Sequence, residues 1–397
     1  MDARDRRPVA RGTGAVAEVP PGDRVIERVV LTRWAIGAIA AAFVMMGMVV
    51  AGYGPLLEHL TRRFGVSLPV AGSTISVYFA GSLPGVIVSM RLLERVPARL
   101  LVIVAMAVSS LGLAAVAVAY IWPLFLASVF VVGLGFGALV ISLNQLVAYR
   151  AGRRRVALIN ALNGCYSAGA VAGPVLVAAF AETHFSALFL FAAAAWLALI
   201  PGALGISGRL PVATGSRVRP GALVGVFIFA FVLYVGLENG TGGWMTSHLE
   251  STGVESGAAA TLTSGFWLAL VTGRLLMSLV PASVSEATIV IAGSTLATVA
   301  LLAATIGGLA PWAYIACGLA LAPIFPTGIV WLARLRPGDS RATSWLYPAA
   351  SIGGITGPGV IGLVIAGAGV GWAPAVLAAV ALGMSAAFLV ASRRPAA

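Results

Sequence analysis

Twelve stretches of this chain are apolar over roughly the 20 residues that a helix needs to cross a bilayer, and little separates one from the next. They lie near residues 35–57, 70–92, 99–119, 122–146, 157–180, 186–206, 222–245, 258–280, 287–308, 311–334, 342–366 and 372–392. A backbone in hydrocarbon must satisfy its own N–H and C=O groups, which leaves helices or closed barrels. Runs of this length specify helices, so the expected fold class is an all-α membrane protein with twelve transmembrane helices. The narrowest divisions fall near Tyr120 and Gly308. Pro123 and Pro311 stand just after them, at helix starts, where a missing N–H costs little.

Composition agrees with lipid as the surrounding medium. The 397 residues are 60% hydrophobic and 10% charged, whereas a soluble domain is about a quarter charged. All 25 basic residues are Arg, and the sequence pI is near 10.9. Such a pI points to nucleic acid only when it forms a basic face on a soluble domain. Here the Arg residues stand at the ends of apolar runs, so the expected partner is the bilayer and no nucleic acid. Cys165 and Cys317 lie within apolar runs without metal-ligand spacing and read as small buried hydrophobes. No metal or cofactor is expected.

Arg placement orients the spans. Alternate loops carry Arg95 and Arg99, then Arg150 with Arg153–Arg155, then Arg209, Arg217 and Arg219, then Arg334, Arg336 and Arg341, and Arg393 and Arg394 follow the last span. The opposite loops hold only Arg62 and Arg63. Both termini are therefore expected in the cytoplasm, in a multi-pass protein of the plasma (inner) membrane. Residues 1–30, polar and Arg-rich, read as a disordered cytoplasmic tail. The apolar run that follows, from near Trp34, is too long for a signal peptide.

The chain also repeats itself. GAVAGP at Gly169–Pro174 returns as GGITGP at Gly353–Pro358, 184 positions later. HLTRRFGV from His59 is echoed by HLESTGV from His248, SVYFAGSLPG (Ser76–Gly85) by SGFWLALVTG (Ser264–Gly273), and Gly133-Leu134 by Gly318-Leu319. Matches in constant order at near-constant spacing indicate two related halves, and in so apolar a chain parallel halves facing across a cleft are a transporter design. The expected organisation is a six-helix unit over 31–206, a cytoplasmic linker over 207–221 and a second six-helix unit over 222–397.

Charges inside hydrocarbon are costly and mark function. Of 13 acidic residues, Glu238 alone falls within a span, in LYVGLENGTGGWMTSHL with Tyr234 and Asn239 beside it. With Trp244 and His248 taken as near the outer interface, Glu238 lies about 9 Å below that interface. Gly236, Gly240, Gly242 and Gly243 suggest a loosened helix there. Two roles are open to Glu238: proton coupling or substrate binding, or a structural hydrogen bond between helices. Arg274, the other intramembrane charge, reads as snorkelling to the headgroups. Asn144, Gln145, Asn160, Asn163 and Ser167 either bond neighbouring helices or line a pathway, with Asn163 and Ser167 on one helix face. Tyr78 and Phe79 hold the repeat positions of Phe266 and Trp267, as packing or as a cavity wall. GLGFG (Gly133–Gly137) has no strand before it, so it serves close helix approach rather than a dinucleotide. No nucleophile–base cluster or carboxylate pair can be assembled, so the chain is not expected to be an enzyme.

Twelve spans, parallel halves and cytoplasmic termini together resemble the major facilitator superfamily. After the second span, LLERVPAR (Leu92–Arg99) is similar to the superfamily's acidic–Arg–x–Gly–Arg–Arg gating loop, with Glu94, Arg95 and Arg99 in matching places and Pro97 and Ala98 departing from it. YVGLENGTGGW (Tyr234–Trp244), FWLALVTGR (Phe266–Arg274) and GLALAPIFPT (Gly318–Thr327) resemble the fucose-permease-like branch. The resemblance implies the major facilitator fold and a proton- or cation-coupled carrier, with sugars prominent among substrates. One departure matters: GLGFGALVISLN keeps Asn144 but has Val140 where that branch often carries an acid. The expected function is proton-coupled transport of a small polar solute such as a sugar by a monomer, with Glu238, Asn239, Tyr234, Asn144, Asn163, Tyr78 and Trp267 as site residues. Efflux of a drug-like or natural product is the alternative within transport; a non-transporting sensor or an intramembrane enzyme is the alternative outside it.

Overall fold

The computed structural model describes residues 30–93, 95–150, 155–208, 221–281, 283–336 and 342–393. These are built from twelve helices: α1 (Arg33–Phe64), α2 (Leu68–Leu92), α3 (Ala98–Val118), α4 (Trp122–Arg150), α5 (Arg155–Ala203), α6 (Ala222–Ser251), α7 (Ser256–Leu276), α8 (Glu286–Ala303), α9 (Ala310–Leu321), α10 (Ile324–Leu335), α11 (Leu346–Ala368) and α12 (Ala373–Ser392). Among the described residues, eleven helical segments are long and apolar enough to cross a membrane.

That number is one short of the twelve expected runs because two of them are joined in α5. The fifth and sixth runs together make up α5, as two helices that meet at a kink of non-helical backbone at His184 (φ −134°, ψ 36°), between the expected runs 157–180 and 186–206. At about 1.5 Å per residue the 49 residues of α5 are more than twice the thickness of a bilayer's hydrocarbon core. The tenth run is instead broken in two, α9 and α10, at Ala322 and Pro323, because proline cannot donate to the preceding turn. A two-residue antiparallel ribbon, β1 (Val30–Leu31) with β2 (Ile206–Ser207), ties the start of α1 to the end of α5. Thr32 then caps α1 by accepting from the Ala35 amide. Of the sequence regions expected as tail and linker, only Val30, Ser207, Gly208 and Gly221 lie within the described residues.

Helix packing repeats along the chain. In the first half α1 packs on α5, α2 on α4, and α3 on both α4 and α5; in the second α6 packs on α11, α7 on α9, and α8 on both α9 and α12. Between the halves α2 lies against α11, α5 against α7, and α1 against α6.

The repeated motifs occupy the same contacts in each half. A Cβ on Gly169 would fall 1.9 Å from the Val44 carbonyl oxygen, and one on Gly353 would fall 2.3 Å from that of Val232. Gly133 meets the Tyr78 carbonyl at 1.9 Å in the same sense, and Gly318 meets that of Phe266 at 2.4 Å. These glycines let helix backbones touch, which is how helices associate where lipid removes the hydrophobic drive. The echo of HLTRRFGV in HLESTGV has a backbone cause: Gly65 (φ 66°) after α1 and Gly253 (φ 93°) after α6 both take a conformation that costs glycine little. GLGFG is a helix-packing element as expected, since Gly133 and Gly137 face α2 and Gly135 faces α3.

The outward surface is apolar. Leu111, Phe191, Leu279 and Leu363 are each at least two-thirds exposed, and Trp34, Tyr120, Trp312, Trp345 and Trp372 lie exposed at helix ends, where amphipathic rings favour the interface of a bilayer.

Candidate functional site

The deepest charges among the described residues form a pair. Arg274, in the last turn of α7, donates from Nη2 to Glu238 Oε1 of α6 at 3.3 Å. Tyr234, one turn before Glu238, donates its hydroxyl to the same oxygen at 3.0 Å. From the other half, Ser167 of α5 accepts from Arg274 Nη1 at 3.2 Å, and Tyr166 faces the pair closely enough to feel both charges. The Glu238 and Arg274 side chains retain 14% and 22% exposure, while Tyr234 is fully enclosed. Two opposite charges taken out of water are tolerable only when paired and hydrogen-bonded, and both conditions are met here.

Two expectations are corrected. Arg274 does not snorkel; its guanidinium turns inward to Glu238 and Ser167. Trp244 and His248, the markers used to place Glu238, are packed inside the protein. Trp244 is enclosed and donates to the Pro358 carbonyl at 3.0 Å, and His248 is buried against Tyr314. Glu238 stands about 24 Å from the start of α6 and about 20 Å from its end, counted along the axis. Nor is α6 loosened around it, since helix runs unbroken from Ala222 to Ser251. Its glycines are seats for neighbours: a Cβ on Gly242 would strike the Trp267 ring at 2.6 Å and one on Gly240 would meet Ile361 at 2.5 Å.

The other expected site residues divide. Trp267 is buried two turns before Arg274 on the same face of α7, edge-on to Phe266. Asn163 is half-buried one turn before Ser167. Asn239 and Asn144 each return their amide to their own helix, donating to Val235 and Val140 carbonyls at 2.9 and 2.8 Å. Tyr78 belongs to a first-half aromatic cluster, 5.3 Å from Tyr53 and 5.1 Å from Phe136 between ring centres. Of the gating-loop residues, Arg95 and Arg99 are exposed, and Glu94 lies outside the described residues. Sequence reasoning missed the partnership of Glu238 with Arg274. A lone buried acid and a lone buried base in consecutive spans are themselves the signal for it.

Where α1 and α2 meet α6, the halves pack tightly. A Cβ on Gly54 of α1 would fall 2.2 Å from the Gly242 carbonyl, and one on Gly72 of α2 would fall 2.2 Å from the Trp244 ring.

A family model described as Major Facilitator Superfamily matches residues 39–275, more than half the chain. The chain belongs to that superfamily. Its members are transporters rather than enzymes, so this is a multi-pass membrane transporter acting on a small-molecule substrate. A search of curated proteins finds no sequence relative. Among solved structures, the superfamily member resembles a POT family transporter in complex with 5-aminolevulinic acid (TM-score 0.75, 13% identity, 89% of this chain and 95% of that one). It also resembles a point mutant of the nucleoside transporter NupG (0.71, 13%, 90% and 99%). A third is a bacterial homolog of the human lysosomal transporter Spinster, inward-facing and occupied (0.70, 15%, 90% and 96%). At such identities the likeness is one of fold.

Proposed function

We propose that this transporter moves a small polar solute across the plasma membrane by alternating access, coupled to protons through Glu238. The observation that carries the reading is the Glu238–Arg274 pair, with Glu238 about halfway along α6 and Arg274 bonded to Ser167 of α5. Protonating Glu238 removes the charge that holds Arg274, so the α5–α7 seam and the pair respond to one event. The recurring packing of α1–α5 and α6–α11, and of their neighbours, supports two six-helix units, 31–206 and 222–397, joined through 207–221. In that reading α5 crosses twice, bending at His184, and α9 with α10 crosses once. The two units rock about a central site, both termini lie in the cytoplasm, and the outer seam of Gly54, Gly72, Gly242 and Trp244 is closed. The protein acts as a monomer.

The test is uptake into proteoliposomes under an imposed pH gradient. Wild-type protein accumulates solute against its gradient, whereas Glu238→Gln equilibrates it only; unchanged accumulation by the variant rejects the coupling role. Efflux of a drug-like compound is the second reading. It is favoured by Val140 in place of the branch's usual acid and by an apolar cavity of about 50 Å³ between Met48, Tyr53, Leu113, Val177 and Phe189. Cells making the protein tolerate a toxic amphiphile under that reading, and accumulate a radiolabelled small polar solute under the first.

A further inference from the structure

The α6–α7 seam holds more donors than it can satisfy. Arg274 Nε and Trp267 Nε1 are buried and have no hydrogen-bond partner among the described residues, as are the Thr241 and Ser264 hydroxyls nearby on the two helices. An N–H can only donate. The seam's carboxylate, Glu238, already accepts from Tyr234 and Arg274. Trp267 and Arg274 share one face of α7 about 10 Å apart along its axis, so the unmatched N–H groups form a short row rather than a point. What complements such a row is a molecule bearing acceptors.

Charge narrows the class. Arg274 and Glu238 balance one another, so an anion entering next to them leaves a net buried negative charge, which a low-dielectric site resists. A proton taken from water by the Glu238 carboxylate restores neutrality. It also frees Nη2, which with Nε forms the guanidinium edge that binds a carboxylate through two parallel bonds. The titratable or charged groups facing Glu238 are Arg274 from α7, Tyr166 from α5 and Tyr234 from its own helix. The helices α11 and α12, packed against α6, contain no charged residue, and those of α1 and α2 sit at their helix ends.

Resting on the transport reading above, we infer that the cargo is an organic monoanion. Its carboxylate seats on the Nε–Nη2 edge of Arg274 and its further oxygens point toward Trp267, and it crosses together with one proton carried on Glu238. The cycle is electroneutral: one negative and one positive charge enter together and leave together.

The experiment uses the full chain in sealed proteoliposomes with radiolabelled gluconate, lactate and, as the neutral counterpart of the first, glucose. The expected result is accumulation of an acid under an inward proton gradient, unchanged by a potassium diffusion potential, and none of glucose. Arg274→Gln lowers acid uptake at least tenfold. Glu238→Gln keeps exchange of labelled for unlabelled acid but loses accumulation. Thermal shift of the purified protein gives an independent readout: acid stabilises wild type more at pH 5.5 than at pH 8, and does not stabilise Arg274→Gln. Proton-driven uptake of glucose alone overturns the anion assignment and leaves the transport reading intact. Uptake that follows the diffusion potential overturns the one-proton balance. Absence of both stabilisation and flux with either acid overturns the assignment. Stabilisation by acid without flux of any solute overturns the transport reading and leaves the anion site standing.

Discussion

Two of the seams between the halves, α2–α11 and α5–α7, are built on one plan and filled differently. In α2–α11, Ser82 shares a hydrogen bond with Ser351 at 3.2 Å, Ser76 donates to the Ile355 carbonyl at 2.8 Å, and Phe79 lies on Gly354. In α5–α7, Ser167, which matches Ser351 by the 184-residue spacing, bonds instead to a guanidinium that holds a carboxylate. The 188-residue spacing that relates Gly54 to Gly242 and Ser76 to Ser264 places Val50 and Val86 opposite Glu238 and Arg274, and both valines are buried. The backbone frame is thus symmetric while the charge is confined to one side. Two positions make one seam charged while the other is a neutral packing contact.

The contrast can be broken most severely at the ion pair. Glu238→Ala or Arg274→Ala alone leaves a buried charge unmatched and is expected to cost about 3–5 kcal/mol. The double variant Glu238→Gln/Arg274→Gln recovers most of that, as read by thermal unfolding in detergent; singles as stable as the double would remove the pair from the account. Next come the glycines. Gly169→Val and Gly353→Val each drive a side chain into a facing carbonyl, and both are expected to lose about 1–3 kcal/mol or more. Folded yield by size-exclusion chromatography checks this, and tolerance at one site but not the other would contradict the symmetric frame.

A finer comparison sets Ser167→Ala against Ser351→Ala. The first removes a hydrogen bond from a charged donor, about 1.5–3 kcal/mol, and the second a neutral one, about 0.5–1.5 kcal/mol, so the melting temperature falls further for Ser167. Smallest is Asn144→Ala, whose amide bonds only its own helix. Stability is expected to move by no more than about 0.5–1 kcal/mol, so a large fall in transport by that variant would place Asn144 on the solute's path.

Much of this was readable from the chain because lipid simplifies the code. Apolar length gave the spans, Arg placement gave the expected orientation, and glycines at fixed spacing marked the crossings that Gly169 and Gly353 make. Reading failed where tertiary structure chose between equivalent local options. Nothing local to α7 tells whether Arg274 turns to headgroups or inward. Trp244 looks interfacial by sequence, yet Gly72 and Gly362 of other helices clear a space for its ring. The junction of the fifth and sixth runs was legible by contrast, since the non-helical backbone at His184 falls where polar Glu182, Thr183 and His184 divide them.

The enclosed indole of Trp244 has a practical consequence. It lies where α6 meets α2 and α11, with no exposed surface and its N–H held by Pro358. Any separation of those helices wets the ring, reddens its emission and admits a water-soluble quencher, so a variant that keeps Trp244 alone of the nine tryptophans follows this seam without an added dye.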